Sequence, residues 1–231
     1  MAEKSDQLTP EEIEVLARVE SDHKVLEALI EELSGHSRRK RQLVAHVVKL
    51  LAEREPELLG PYVDDLVDAL ERPEAQTRWE VLDACTLLVP QHAKELSGAY
   101  DGAEAALFDE LSATLRFSAF RFLAAWGATE RSRSKKVWPV IDEAIQCYHG
   151  DLEYPDMLIS LSEFAQGKID GGVASELAGR IKFDAENGKG AYIKPRSAEI
   201  YEALVKRFKI KDPKKRARVT PKDDGVDEDE E

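Results

Sequence analysis

Cysteine and long apolar runs are scarce in this sequence of 231 residues. The two cysteines, Cys85 and Cys147, stand among apolar neighbours and away from any His/Cys cluster. This excludes a disulfide framework and a zinc site and predicts two buried free thiols. No segment approaches the roughly 18 to 20 apolar residues that a membrane-spanning helix needs, and the first residues lack the apolar core of a signal peptide. We therefore expect a cytoplasmic protein.

Motifs for catalysis and cofactor binding are also missing. The sequence contains no GxGxxG, GxxxxGK[ST] or GxSxG pattern, so it has no recognisable nucleotide-binding loop or hydrolase elbow. None of the five histidines lies four residues from another on one helix, and we therefore predict no metal site. The sequence predicts no catalytic residue and no cofactor.

Positive charge is in deficit, since 33 Lys/Arg face 46 Asp/Glu and the formal net charge is −13. Residues 206–222 hold nine basic residues and one acid, whereas residues 223–231 hold seven acids and no base. Subtracting both leaves 24 basic and 38 acidic residues in 1–205, a charge of about −14. An acidic body argues against general nucleic-acid binding, because attraction to phosphate needs a positive surface.

The sequence does contain a repeated helical segment. KRQLVAHVVKLL (40–51), TRWEVLDACTLL (77–88) and LRFSAFRFLAAW (115–126) align without gaps and start 37 and 38 residues apart. Each has Arg at its second position, with small or apolar residues three, seven and ten positions later, which forms one stripe on an α-helix. Weaker copies occupy 154–164 and 197–207.

Partner helices are predicted between these segments, over 23–33, 56–70, 92–111, 135–148 and about 171–183. Proline or glycine punctuates the joints. Thr9-Pro10-Glu11-Glu12 has the pattern of a capping box, which predicts one more helix at the start. The glycines between Gly167 and Lys194 predict a break in the superhelix.

LVDALERPEAQTRWEVLDACTLLV (66–89) resembles a HEAT unit, with an apolar first helix, a short turn carrying Pro, and a second helix that opens with Arg. The resemblance to HEAT and armadillo repeats covers residues 22–207. It implies an all-α fold, a right-handed α-solenoid of about five helical hairpins with an N-terminal capping helix. In this family the second helices line a concave side that mostly binds other macromolecules.

Three domains follow: a flexible N-terminus (1–8), the repeat domain (9–207) and a tail (208–231). Beyond Phe208 the sequence has two prolines, no aromatic residue and blocks of like charge, which predicts a disordered tail, first basic and then acidic. The string Pro213–Val219 resembles a nuclear localisation signal, which would make the protein nuclear in a eukaryote.

Arg41, Arg78 and Arg116 recur at one repeat position. The family resemblance suggests that they form a structural ladder with acids of neighbouring turns. Asp64, Asp101 and Asp142 recur in the first helices, either as a row of carboxylates or as a solvated face.

A candidate partner-binding surface lies beside the buried stripe of the second helices. It comprises six positions: Gln42, His46, Trp79, Asp83, Phe117 and Arg121. Aromatic and arginine side chains dominate the energetics of many interfaces. The alternative is that the rings of Trp79 and Phe117 bridge adjacent repeats as part of the core.

Basic clusters are the other candidate site. They comprise Arg38, Arg39, Arg131, Arg133, Lys214, Lys215, Arg216 and Arg218. If stacking brings them to one edge they would form a strip that binds phosphate, and if not they are solvated charges.

The function that the sequence favours is a non-catalytic scaffold or adaptor that binds a protein partner on the concave face. The alternative is a nucleic-acid-binding protein similar to the HEAT-like alkylpurine DNA glycosylases. Trp79, Trp126 and Trp138 are present, but no motif of those enzymes matches residue by residue. A third interpretation is a subunit whose outer face docks in a larger assembly.

Overall fold

The computed structural model describes residues 10–210. In that range the chain is helical and contains no strand. In chain order the α-helices are α1 Pro10–Ser21, α2 His23–Glu31, α3 Arg38–Arg54, α4 Val63–Ala69, α5 Ala75–His92, α6 Tyr100–Leu107, α7 Ala113–Gly127, α8 Arg131–Tyr148, α9 Tyr154–Gln166, α10 Gly171–Asn187 and α11 Ile193–Phe208. Thr9 of the predicted capping box, the predicted N-terminus 1–8 and residues 211–231 of the predicted tail lie outside the described residues.

The helices form two layers. The predicted second helices are α3, α5, α7, α9 and α11, and each packs against the next one along the chain. The first helices α2, α4, α6, α8 and α10 form the other layer, and α1 packs against α2 and α3 at the start of the stack. The chain is therefore an all-α solenoid of about five hairpins, as the repeat pattern predicts.

The apolar stripe forms the buried side of the second helices. Its members are all buried: Val44, Val48, Leu51, Val81, Cys85, Leu88, Ala119, Leu123, Trp126, Met157, Leu161, Phe164, Ile200 and Leu204. The predicted register is confirmed in all five repeats, including the two weak copies. Burying a large aliphatic or aromatic side chain contributes about 1.5 to 3 kcal/mol, so this stripe supplies much of the driving force for folding.

The second helices lie with their starts at one edge of the stack. Arg41, at the start of α3, pairs with Glu74, which immediately precedes α5. Arg78, at the start of α5, pairs with Asp109, which precedes α7. We call this side the N-terminal edge, and the opposite side, where the second helices end, the C-terminal edge.

Short polar side chains begin several helices. Asp22 accepts a hydrogen bond from the Lys24 amide at the start of α2 (2.9 Å), and Ser112 accepts one from the Leu115 amide at the start of α7 (3.2 Å). Such caps satisfy backbone amides that have no partner inside the helix.

Two predicted first helices are not continuous. Residues 56–70 form a 3-10 segment, Pro56–Tyr62, followed by α4, because Pro61 has no backbone N–H to donate. Residues 95–107 form a 3-10 segment, Glu95–Ala99, followed by α6, while residues up to His92 belong to α5. The predicted helix 92–111 is therefore wrong at both ends.

The predicted break between Gly167 and Lys194 does not interrupt the stack of second helices. Most of that segment is α10, and α11 packs against both α9 and α10. The positive φ of 91° at Gly190 lies in the turn before α11, a conformation that glycine adopts without strain. No helix of residues 10–210 combines the length and apolar character needed to cross a membrane.

Two glycines offer a matched test of the packing between repeats. A Cβ at Gly167 would lie 2.5 Å from the Ala128 carbonyl oxygen, whereas a Cβ at Gly179, inside α10, would meet no atom within 4 Å. We expect Gly167→Ala to lower the free energy of unfolding by about 1 to 3 kcal/mol through overpacking. Gly179→Ala should raise it by about 0.5 to 1 kcal/mol, because alanine loses less backbone entropy in a helix. Urea denaturation measures both, and a neutral Gly167→Ala would contradict the close approach.

Candidate partner-binding face

A buried ion pair joins the first two second helices at the N-terminal edge. The Arg41 guanidinium donates from Nε to Glu74 Oε2 (3.2 Å) and from Nη2 to Glu74 Oε1. It also donates from Nη1 to the Gly35 carbonyl (2.6 Å). The hydrogen bonds that Arg41 donates to Glu74 lower the pKa of the Glu74 carboxyl, and burial opposes that shift.

The next two arginines repeat the arrangement at longer distances. Arg78 Nη1 lies 3.8 Å from Asp109 Oδ2, and Arg116 Nη2 lies 3.9 Å from Asp151 Oδ2. Arg116 also donates to the Asp109 carbonyl (3.0 Å). Each acid lies at or shortly before the start of the next second helix, so the structure places Arg41, Arg78 and Arg116 in one row of inter-repeat pairs.

The fourth repeat replaces this ion pair with a buried tyrosine. Tyr154 stands at the arginine position, and its hydroxyl donates to Asp184 Oδ2 of α10 (2.9 Å). His149 Nε2 lies 2.8 Å from Asp184 Oδ1. Burial, together with the charge of Asp184, raises the pKa of the Tyr154 phenol, so this hydroxyl stays a hydrogen-bond donor.

A row of partly exposed side chains runs across the second helices on the side away from the buried stripe. It consists of His46 on α3, Asp83 on α5, Arg121 on α7 and Ile159 on α9, spaced 37 and 38 residues apart. We call the surface around it the second-helix face. Equivalent positions lie side by side here because consecutive second helices pack against each other.

Polar contacts connect the row between α1, α3 and α5. His46 lies between two carboxylates, with Nε2 at 3.1 Å from Glu12 Oε1 and Nδ1 at 3.2 Å from Glu80 Oε1. The Lys49 ammonium lies 3.5 Å from Glu80 Oε2 and 3.8 Å from Asp83 Oδ2. Three helices thus contribute acidic and basic side chains to one network.

The network continues onto α7. Arg121 Nη1 lies 3.3 Å from Asp83 Oδ1, and its guanidinium lies 5.7 Å from the centre of the Phe117 ring. Burial raises the pKa of the Asp83 carboxyl, while a hydrogen bond from Ser118 and the charge of Arg121 act in the opposite direction. Arg121 is therefore held by a carboxylate on one side and an aromatic ring on the other.

Trp79 and Phe117 were expected either on the partner-binding surface or in the core, and the structure gives each ring part of both environments. Both rings pack against the core, and both remain partly exposed on the second-helix face. Gln42, one repeat before Trp79, is also partly exposed. The six predicted positions thus share one face, on which His46, Asp83 and Arg121 belong to one connected network.

Several residues of this face were missed from the sequence. Glu12, Lys49 and Glu80 complete the network, and Leu43 and Ile159 add apolar side chains that are 54% and 45% exposed. Ile159 follows Arg121 by one repeat, so the repeat spacing is a signal that could have found it. Glu80 carries no such signal, because its partners lie on other helices.

The outer layer does not gather the three recurring acids into a site. Asp64 and Asp101 are exposed. Asp142 instead forms a bidentate ion pair with Arg180 of the next first helix, with distances of 2.6 and 2.9 Å.

The basic clusters do not converge on one edge. Arg38 and Arg39 begin α3 at the N-terminal edge, whereas Arg131 begins α8, just after α7 ends at the C-terminal edge. The Arg133 guanidinium donates a hydrogen bond to the Thr129 hydroxyl (2.8 Å) and lies over the Trp126 ring. The hypothesis of a single phosphate-binding strip is therefore wrong for the described clusters, because α7 separates the two edges by about 22 Å. The predicted members Lys214, Lys215, Arg216 and Arg218 lie outside the described residues.

The cysteines differ in exposure. Cys85 is fully buried, which raises its pKa to about 12, whereas Cys147 is exposed. The prediction of two buried thiols is wrong for Cys147, because Ile141, Ala144 and Ile145 form the buried side of α8 and residue 147 lies outside it. Among residues 10–210 no three His, Cys, Asp or Glu side chains are grouped closely enough to hold a metal ion.

The chain resembles solved proteins in its fold rather than in its sequence. No protein-family model matches the chain, and no curated protein matches its sequence. A designed armadillo repeat protein, solved in complex with the peptide (KR)4, matches with a TM-score of 0.68 at 12% identity, over 82% of this chain and 85% of that one. Two engineered proteins match with TM-scores of 0.66 and 0.65, at 13% and 15% identity, over 84% and 87% of this chain and 84% and 94% of theirs. These similarities establish an armadillo-like solenoid fold.

The Arg41–Glu74 pair predicts a pH dependence of stability. Because the folded pKa of Glu74 is lowered, the pair stabilises the fold above the ordinary pKa of glutamate, about 4.3, and this contribution is lost as the pH falls through the lower folded pKa. We expect Glu74→Gln to unfold more easily than the wild type at pH 7, and the difference to shrink as the pH is lowered below 4. The control is Asp64→Asn, an exposed acid with no ion pair among residues 10–210. A difference independent of pH would contradict the pairing.

Thiol reactivity should separate the two cysteines. In the folded protein we expect a thiol reagent to label Cys147 rapidly and Cys85 only after denaturation, since thiolates react and burial keeps Cys85 protonated. Cys147→Ser should abolish the fast phase. Rapid labelling of Cys85 in the native state would show that the core between α5 and its neighbours opens.

Proposed function

We propose that this armadillo-like solenoid is a non-catalytic adaptor that binds a segment of a protein partner along its second-helix face. The observation that carries the proposal is the connected row His46, Asp83 and Arg121, which crosses three repeats while remaining partly exposed. Its side chains are oriented by one another before any partner arrives. Binding then loses less side-chain entropy than it would on a surface of unconnected charges.

The chemistry of the face suits a protein ligand. Partly exposed Trp79 and Phe117 share this face with exposed Leu43 and Ile159 and with the polar network. Interfaces commonly combine buried aromatic and arginine anchors with a polar surround. Arg121 and Phe117 already form such a pair.

The repeat geometry favours an extended segment. Packed helices lie about 8 to 10 Å apart, and an extended chain rises about 3.3 Å per residue. A peptide crossing the second helices would therefore meet an equivalent position about every third residue. The designed armadillo protein of similar fold was solved with the peptide (KR)4, which supports a peptide as the ligand class. The net charge of −13 favours a partner segment that contains Lys or Arg.

Selection from a random 12-residue peptide library on the immobilised full-length chain tests this proposal. We expect selected peptides to bind Leu43→Asp and Arg121→Gln at least about tenfold more weakly than the wild type, a usual effect of removing an interface anchor. Both substitutions are at exposed or half-exposed positions, so circular dichroism should show an unchanged fold.

The matched control is the double variant Asp64→Asn and Asp101→Asn on the outer layer, which should bind the same peptides with affinity within about twofold of the wild type. Peptides that bind the Leu43 and Arg121 variants as tightly as the wild type would contradict the proposed face. Peptide binding lost only in the outer-layer variant would assign the interaction to the first helices. Recovery of partners from lysate that disappears on nuclease treatment would favour nucleic acid instead.

A further inference from the structure

A cavity lies at the C-terminal edge, away from the second-helix face. Its volume is about 660 Å³, and it is lined by Glu130, Arg131, Lys168, Ile169, Arg207 and Phe208. Three parts of the chain meet there: the start of α8, the turn between α9 and α10, and the end of α11. The wall is fixed by the Lys168 amide, which donates to the Ala128 carbonyl (2.6 Å).

The cavity is basic although the protein is acidic. Three of its lining residues are cationic, and its one acid, Glu130, is paired with Arg133 (3.9 Å). The side chains of Arg131 and Lys168 have no ion pair within residues 10–210, whereas nearby Lys135 pairs with Asp170 (3.1 Å). Unpaired cations that converge on a cavity, in a chain of net charge −13, provide a site for an anionic group.

Arg207, at the end of α11, also lines the cavity, and its side chain is fixed by contacts with the protein. Its Nη1 donates to the Ala165 carbonyl (2.9 Å), and its guanidinium lies 5.2 Å from the centre of the Phe208 ring. Its other donors remain for a ligand, since guanidinium has five N–H groups. Buried Ile169 and partly exposed Phe208 supply apolar surface beside the charges. The ligand that fits is therefore a carboxylate-rich peptide containing an apolar residue.

We propose that this cavity binds the chain's own acidic segment, Asp223–Glu231. That sequence, DDGVDEDEE, has seven acids and one apolar residue, Val226, which matches the charge and apolar surface of the cavity. The described chain ends at Ile210, two residues beyond Phe208 in the cavity wall. Residues 211–222 can span at most about 40 Å, so the acidic segment starts within reach.

The acidic segment and the cavity belong to the same chain, and this covalent connection strengthens their interaction. A short tether raises the effective concentration of a ligand to the millimolar range, so even weak carboxylate contacts fill the site. An acidic segment of another molecule would have to displace Asp223–Glu231 before it could bind. The chain's own acidic segment thus acts as a built-in competitor at the C-terminal edge.

A labelled peptide of sequence DDGVDEDEE, added to the full-length chain, tests the proposal by fluorescence anisotropy. In one variant Asp227, Asp229, Glu228, Glu230 and Glu231 are changed to Asn or Gln. We expect this tail-neutralised chain to bind the peptide at least about tenfold more tightly than the wild type, because its cavity is unoccupied. Adding Arg131→Gln and Lys168→Gln to the tail-neutralised chain should remove that gain.

The charge-matched control adds Arg38→Gln and Arg39→Gln, at the N-terminal edge, to the tail-neutralised chain and should retain the tighter binding. Equal peptide affinity of the wild type and the tail-neutralised chain would overturn the proposal. So would equal losses in the cavity variant and the control, which would indicate general attraction or pairing within residues 206–231. If single-stranded DNA binds the cavity more tightly than the peptide does, the cavity is a nucleic-acid site and the proposal is wrong. If the wild type forms concentration-dependent dimers, the acidic segment binds the cavity of another copy rather than its own.

Discussion

The structure depends on the burial of one apolar stripe along the inner side of the second helices. A single hairpin cannot cover both of its apolar surfaces, so each repeat is stabilised by its neighbours, and residues 10–210 fold around a continuous stack. Val48, Cys85 and Leu123 occupy the same place in successive repeats and are fully buried. This register fixes where every other residue of a second helix points, because the angular position of a residue on a helix follows from its distance from the stripe.

Polar groups are arranged around this stack according to how far they are from water. At the N-terminal edge the arginine positions come close to the core, and Arg41 is paired with Glu74 and hydrogen-bonded to backbone, as a buried guanidinium requires. On the second-helix face the basic side chains are nearer to solvent, and they pair with less exposed carboxylates in a network that spans α1, α3, α5 and α7. At the C-terminal edge Arg131 and Lys168 remain unpaired within residues 10–210. The two proposed sites therefore differ in character, because one consists of paired acidic and basic side chains and the other is basic.

The repeat spacing predicted most of the fold and the face of the candidate site. Trp79, Asp83 and Arg121 were placed on a common surface because their offsets from the stripe repeat. The same reasoning failed where a residue acts through a partner distant in sequence. Glu80 resembles any acid on a solvated helix, yet it is 6% exposed and contacts both His46 and Lys49. Cys147 was assigned to the core from its apolar neighbours, but the side of α8 that is buried is set by the packing of that helix on α7.

By itself the sequence determined the helical solenoid, the number of repeats and the buried register, because a period of 37 to 38 residues and a stripe of apolar positions are local patterns with one packing solution. Only the tertiary structure decided which charges meet. It joined His46 to Glu12 and Glu80, separated Arg39 from Arg131 by the length of a helix, and brought Lys168 and Arg207 into one cavity. The physical reason is that the pattern of buried residues follows from the periodicity of a single helix. Which charged side chains form pairs depends instead on the distances between helices that are far apart in the chain.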